Sequence, residues 1–128
     1  MGNGFYPDEW ANVELKHLMQ GSTLKQQTMD ELKAAHPALF VLFGGIHCGV
    51  CQVIKPKLET LLSKNFPDIA FVYFDCEQHP DICGQSRVFS LPTIRFFLEG
   101  QLSLEKSRVF SLKELAQDID RLYRLWHQ

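Results

Sequence analysis

Two cysteines stand three residues apart, at Cys48 and Cys51, with Gly49 and Val50 between them. In a chain without an export signal, this spacing suggests redox chemistry or a metal site. Residues 38–43, shortly before the pair, form a continuous apolar run of strand length. Such a run predicts a strand buried on both faces, as in a parallel sheet. Two glycines end that run, so the pair is expected at the start of a helix.

The position of Cys48 at a helix N-terminus predicts a reactive thiolate. Free backbone N–H groups and the helix dipole favour an anion there, and they lower a cysteine pKa from ~8.5 to roughly 3.5–7.5. Cys51, one turn further along, is expected to face Cys48 and to point inward. Cys48 would then attack a substrate disulfide, and Cys51 would resolve the mixed disulfide. Two unreactive buried cysteines and a metal-binding pair are the alternatives.

Helices and strands alternate along the rest of the chain. Apolar runs predict three further strands, at residues 69–74, 93–98 and 101–104. The loop Glu99-Gly100 joins the last two as a hairpin. Capping boxes, apolar stripes and prolines predict a short helix from Pro80 and longer ones over residues 7–20, 28–36, 48–64 and 112–126. Residues 24–27 are ambiguous, and a short edge strand is one interpretation.

Length and composition indicate a single globular domain. The chain has 128 residues, of which 45% are hydrophobic and 22% charged, which excludes a disordered tail or a fibre. We expect one domain over residues 1–128, with residues 1–21 as an N-terminal helical extension and residues 22–128 as the core. A monomer is expected.

The charge balance excludes other classes of partner. Lys and Arg total 13 against 15 for Asp and Glu, so no basic excess is present to bind nucleic acid. The run at residues 38–43 is far shorter than the ~20 residues of a membrane span. The polar and acidic first residues do not have the pattern of a secretory signal, and a cytoplasmic location is expected.

Several features at matching spacing resemble the thioredoxin family over residues 39–126. The cysteine pair stands where the family has Cys-Gly-Pro-Cys, and Pro56 stands where the family kinks the following helix. The segment Leu91-Pro92-Thr93 matches the family's apolar-Pro-Thr segment, whose proline is cis and faces the cysteines. Glu99-Gly100 matches the hairpin before the last strand. The first cysteine and its neighbours are therefore expected to meet Pro92 in one site.

The resemblance implies an α/β thioredoxin fold, with a mixed central sheet of four to five strands flanked by helices. It also implies dithiol–disulfide exchange without a cofactor or a metal, in the reducing direction that a reducing cytosol favours. Disulfide-containing proteins would be the substrates, and a reductase would donate electrons. The expected catalytic residues are His47, Cys48 and Cys51, and the expected substrate-binding residues are Gly49, Val50, Leu91, Pro92 and Thr93.

Five positions depart from the family pattern. His47 stands in place of a Trp, Val50 in place of the Pro between the cysteines, and Arg108 in place of a Gly. Leu42 and Tyr73 occupy the places of a buried Asp–Lys pair that helps to deprotonate the second cysteine. This is the pattern of a divergent thioredoxin-like protein. His47 would stabilise the thiolate or move a proton, or would be a plain exposed loop residue.

Two other functions remain open from the sequence. Cys48 and Cys51 could bind a metal or an iron–sulfur cluster, although a zinc site requires four ligands and the pair supplies two. The domain could instead be a non-catalytic adaptor, which has no need of both thiols. Cys76 and Cys83 are either structural thiols or a second redox pair. The remaining histidines are expected at the surface, at His17, His36, His79 and His127.

Overall fold

The computed structural model describes residues 24–128. The helices are α1 (Leu24–Ala35), α2 (Gly49–Asn65), α3 (Pro80–Gln85) and α4 (Leu112–Trp126), and the strands are β1 (Ala38–Gly44), β2 (Ala70–Asp75), β3 (Thr93–Leu98) and β4 (Gln101–Ser107). The helix expected over residues 7–20 lies outside the described residues.

The strands form one mixed sheet in the order β2-β1-β3-β4. β2 is parallel to β1, whereas the β1–β3 and β3–β4 pairs are antiparallel. At its carboxyl end, β1 pairs Gly44 with Asp75 of β2 and Phe43 with Thr93 of β3. The loop that follows β1 therefore emerges between the end of β2 and the start of β3.

A hydrophobic core lies on each face of the sheet. Side chains alternate across a strand, so one face carries Phe40 and Leu42 of β1 and is covered by α2 and α4. The other face carries Val41 and Phe43 and is covered by α1 and α3. All seven residues of β1 are buried, which confirms the interpretation of its apolar run as a strand covered on both faces.

Two elements differ from the prediction. Residues 24–27 are helical rather than a strand, and Thr28 lies buried inside α1 instead of capping its start. Leu, Lys and Gln all favour helix, so α1 extends by one turn beyond the false capping box. β4 continues to Ser107, beyond the predicted end at residue 104, because its pairing with β3 runs as far as Thr93 and Ser107. The apolar pattern ends earlier because the polar residues of this edge strand face solvent. There Glu105 pairs with Arg95 of β3 at 2.8 Å.

The remaining boundaries follow the sequence pattern closely. α1 ends directly before His36 and Pro37, as expected for a residue that precedes proline. At the start of α4, the Ser111 hydroxyl accepts a hydrogen bond from the Glu114 N–H at 3.2 Å, which confirms the predicted N-terminal cap.

Candidate active site

Cys48 is the N-cap residue of α2. Its backbone is extended, with φ −93° and ψ 105°, and its Sγ accepts a hydrogen bond from the Cys51 N–H at 3.3 Å. The Cys48 N–H donates to the Gly45 carbonyl at 3.1 Å, which fixes the loop that leads into the helix. The sulfur thus occupies the place of a capping oxygen, where helix N–H groups stabilise negative charge.

Cys48 and Cys51 form a disulfide with a Cα–Cα distance of 5.2 Å. The two sulfur-bearing residues differ in access, since Cys48 is half-buried and Cys51 has 0% exposure. A partner sulfur can therefore approach Cys48 but not Cys51. This asymmetry matches the order of attack that the sequence predicts, with Cys48 outside and Cys51 inside.

The Leu91–Pro92 peptide is cis, which confirms the expectation taken from the family resemblance. The Pro92 carbonyl accepts a hydrogen bond from the Arg108 N–H at 2.8 Å. The buried Thr93 hydroxyl donates to the Ser90 carbonyl at 2.7 Å. A Cβ added at Gly45 would lie 3.4 Å from Leu91 Cδ1, so Leu91 packs against the loop that carries Cys48. The approach of Pro92 itself to Cys48 remains a prediction.

His47 pairs with Glu77, a residue that the sequence analysis did not identify. Glu77 Oε1 lies 2.7 Å from His47 Nδ1, and Glu77 Oε2 accepts the His47 backbone N–H at 3.3 Å. The His47 side chain is 85% exposed and that of Glu77 41%. The only signal in the sequence is indirect, because Glu77 follows β2 and β2 lies beside β1.

Gly44 lies against both Cys51 and Tyr73. A Cβ at Gly44 would lie 3.2 Å from Cys51 Sγ and 3.0 Å from Tyr73 Cε1, so only glycine leaves room for both. Leu42, which has 0% exposure, pairs with Tyr73 across the strands. No carboxylate therefore stands at the position where the family carries its buried Asp.

An ion pair lies on the same face of α2 as Cys51. Residues four apart on a helix are neighbours, so Lys55 and Glu59 follow Cys51 by one and two turns. Lys55 Nζ lies 3.0 Å from Glu59 Oε2 and 5.3 Å above the Tyr73 ring. The helical spacing of Cys51, Lys55 and Glu59 was a readable signal for this cluster, which the sequence analysis missed.

Cys76 and Cys83 form a second disulfide, with a Cα–Cα distance of 5.7 Å, so none of the cysteines is free. The bond joins the residue after β2 to α3, where Cys83 is 4% exposed.

The expectation of a surface position is wrong for His79, which is 6% exposed. His79 is the N-cap residue of α3, and its N–H donates to the Asp75 carbonyl at 2.8 Å, which draws it inward.

From Leu24 to the last residue, no group of three or more His, Cys, Asp or Glu side chains is placed to hold a metal ion. None of the helices in this part of the chain is long and apolar enough to cross a membrane.

Comparisons with known proteins return thioredoxins. The family model named Thioredoxin matches residues 21–121. Thioredoxin-like protein YdfQ of Bacillus subtilis (strain 168) is 28% identical over 91 residues, which cover 71% of this chain and 80% of that protein. Thioredoxin H2 of Arabidopsis thaliana is 29% identical over 99 residues, or 76% of this chain and 71% of that one. The crystal structure of oxidized thioredoxin O2 from Arabidopsis thaliana has a TM-score of 0.71 at 20% identity, covering 96% of this chain and 97% of that one.

Proposed function

Because the chain belongs to the thioredoxin family, we propose that it is a thiol–disulfide oxidoreductase that reduces disulfides of protein substrates through Cys48 and Cys51. The observation that carries the proposal is the disulfide at the start of α2, with one accessible and one buried cysteine. The reducing direction fits a reducing compartment such as the cytoplasm.

The reaction begins with the dithiol form. The Cys48 thiolate attacks one sulfur of the substrate disulfide, forming a mixed disulfide and releasing the other sulfur as a thiolate. Cys51 then loses its proton, and its thiolate attacks Cys48 Sγ. The second substrate thiolate leaves, and the Cys48–Cys51 disulfide remains, so two electrons have passed to the substrate. A reductase, the second expected partner, returns both electrons.

Exposed apolar side chains beside the cysteines and before the cis proline favour an unfolded or extended peptide segment as substrate. Ile46 and Val50, on the loop and the first turn of α2, are 60% and 54% exposed. Phe89, shortly before the cis proline, is 89% exposed. Exposed apolar side chains are typical of a surface that binds another protein, and Phe89 would join this surface if Pro92 faces Cys48. Substrate would cross Gly49 and Val50 on one side and the Leu91-Pro92-Thr93 backbone on the other.

Insulin reduction with dithiothreitol as the electron source tests the proposal. The wild-type protein is expected to accelerate precipitation of the insulin B chain, and the double variant Cys48→Ser/Cys51→Ser is expected to give the uncatalysed rate. An inactive wild-type protein would overturn the proposed enzyme. Metal analysis of the freshly purified protein would then separate a metal or iron–sulfur protein from an adaptor.

A further inference from the structure

The contact between His47 and Glu77 uses both oxygens of the carboxylate. Oε1 meets the ring at Nδ1, 2.7 Å away, and Oε2 accepts the backbone N–H of the same residue at 3.3 Å. A carboxylate held by ring and backbone together restricts the rotation of the ring. His47 directly precedes Cys48, so this restriction acts at the entrance to the active site.

Glu77 is itself fixed by the end of the sheet. Its N–H donates to Oδ1 of the buried Asp75 at 2.9 Å. The N–H of Cys76, the residue between them, donates to the Gly44 carbonyl at 2.7 Å and so continues the pairing of β1 and β2. A Cβ at Gly45 would lie 3.2 Å from Glu77 Oε2, so the glycine leaves room for the carboxylate to lie across the loop.

The chemistry of the pair decides which ring nitrogen carries hydrogen. An ionised carboxylate only accepts hydrogen bonds, so Nδ1 of His47 must donate to Glu77. In the neutral ring, the lone pair is then on Nε2. In the described part of the chain, Nε2 has no protein partner, and the side chain is open to water. Nε2 is therefore the atom that is available to accept a proton.

We propose that Glu77 is a positioning residue for disulfide exchange, because it holds His47 as the Nδ1–H tautomer and leaves Nε2 as the proton acceptor of the resolving step. This inference rests on the proposed function. In the mixed disulfide, the Cys51 thiol gives its proton to Nε2 through water, because the His47 ring is open to solvent. Glu77 neutralises the imidazolium that results. As the Cys51 thiolate attacks Cys48 Sγ, the substrate thiolate leaves and takes the proton from Nε2.

The first arm of the test measures the tautomer without any turnover. Nitrogen-15 NMR of the His47 ring, at a pH where the ring is neutral, is expected to show hydrogen on Nδ1 in the wild-type protein. Glu77→Ala is expected to move hydrogen to Nε2 in a large share of molecules, whereas Gln78→Ala, a change at the exposed neighbour, is expected to match the wild type. An Nδ1–H tautomer that survives Glu77→Ala would overturn the inference.

The second arm measures single-turnover resolution of the mixed disulfide. Loss of the partner of a functional histidine costs about 10–100-fold in metalloenzymes, and we expect a reduction of that order in Glu77→Ala. In a His47→Ala background, the same change is expected to have no further effect, because the two residues act through one ring. An equal loss in both backgrounds, or none in either, would overturn the inference.

Insulin reduction together with the second arm separates failure of this inference from failure of the proposed function. A wild-type protein that does not reduce insulin overturns the proposed enzyme, and with it the positioning role of Glu77 in disulfide exchange. A wild-type protein that reduces insulin, together with a Glu77→Ala variant that resolves at the wild-type rate, overturns only the positioning role. Circular dichroism and thermal unfolding of each variant confirm that the compared proteins are folded.

Discussion

At the scale of single residues, the unequal access to the two active-site cysteines assigns their roles. Cys48 Sγ takes its place at the helix start, where a thiolate is stabilised and a substrate can reach it. Cys51 has 0% exposure and lies against Gly44. A buried thiol one turn away can reach Cys48 Sγ but not the sulfur of a free substrate, so Cys51 acts only on the mixed disulfide at Cys48.

Substitution of each cysteine in turn tests this assignment. Cys51→Ser is expected to accumulate mixed disulfides with substrate proteins, because the nucleophile is intact and the resolving thiol is absent. Cys48→Ser is expected to trap none. Non-reducing electrophoresis after rapid acid quenching measures the trapped species, and the reverse pattern would contradict the assignment.

The resolving step is expected to be slow at neutral pH and to accelerate as the pH rises and the Cys51 thiol ionises. A general base typically contributes about 10²–10⁴-fold, and Leu42 cannot accept a proton. Charged groups near the two cysteines, among the described residues, include Glu77 at His47, the buried Asp75 that pairs with Gly44, and the Lys55–Glu59 pair on the same helix as Cys51.

Stopped-flow kinetics across a pH series would measure this step in the wild-type protein and in His47→Ala. The variant is expected to be slower near neutral pH, whereas His127→Ala, a change at an exposed histidine that follows α4, is expected to match the wild type. Resolution as fast as in a thioredoxin with a buried Asp, with no slowing in His47→Ala, would contradict this prediction. It would show that neither Leu42 nor His47 affects the rate of the resolving step.

The chemistry of the site could be predicted from the sequence wherever it depends on local pattern. The helix-start position of Cys48 follows from an apolar run, two glycines and the cysteine spacing, and the cis Pro92 follows from the family resemblance. The contact of His47 with Glu77 joins residues 30 apart along the chain. It depends on which strand lies beside β1, and a pattern along one strand does not specify its neighbour.

At the scale of elements, the helices and strands with a regular apolar pattern were predicted within one or two residues. The helices α2 and α4 have an apolar stripe that faces the core, and the strand β3 has a continuous apolar run. α1 and β4 were predicted less well, because polar residues hide their periodicity. At β4, the edge position allows solvent-facing residues along most of the strand, so the apolar signal ends before the hydrogen bonding does.

The Cys76–Cys83 disulfide ties the end of β2 to α3, and we expect it to stabilise the fold rather than to take part in turnover. For a separation of 7 residues, chain entropy predicts a contribution of about 2.5 kcal/mol. The double variant Cys76→Ser/Cys83→Ser should therefore unfold at lower urea concentration while still reducing insulin. Loss of insulin reduction with unchanged stability would instead favour a second redox pair.

At the scale of the whole molecule, we expect His36 to link global stability to pH. Burial lowers the pKa of His36, which follows α1, whereas an unfolded histidine titrates near 6.5. Between the lowered pKa of the folded state and ~6.5, the unfolded chain therefore binds more protons, so the free energy of unfolding decreases as the pH falls through this region. At higher pH, His36 is neutral in both the folded and the unfolded state, so this loss of stability is absent.

Urea unfolding at several pH values tests this linkage. We expect His36→Gln to lose less stability than the wild-type protein between neutral and mildly acidic pH, and His127→Gln to follow the wild type. An identical acid dependence in His36→Gln and the wild-type protein would contradict the linkage.

The register of β1 with β3 has a practical consequence for attaching the protein to a surface. Phe43 pairs with Thr93 at the cysteine end, and Ala38 pairs with Leu98 at the other. At a rise of roughly 3.3 Å per residue, the hairpin after Leu98 lies about 17 Å from Thr93 along the strand. Gly100 has φ 81° and open space where a Cβ would be. An affinity peptide inserted after Gly100 is therefore expected to tether the molecule to a sensor chip with its cysteines turned toward the solution.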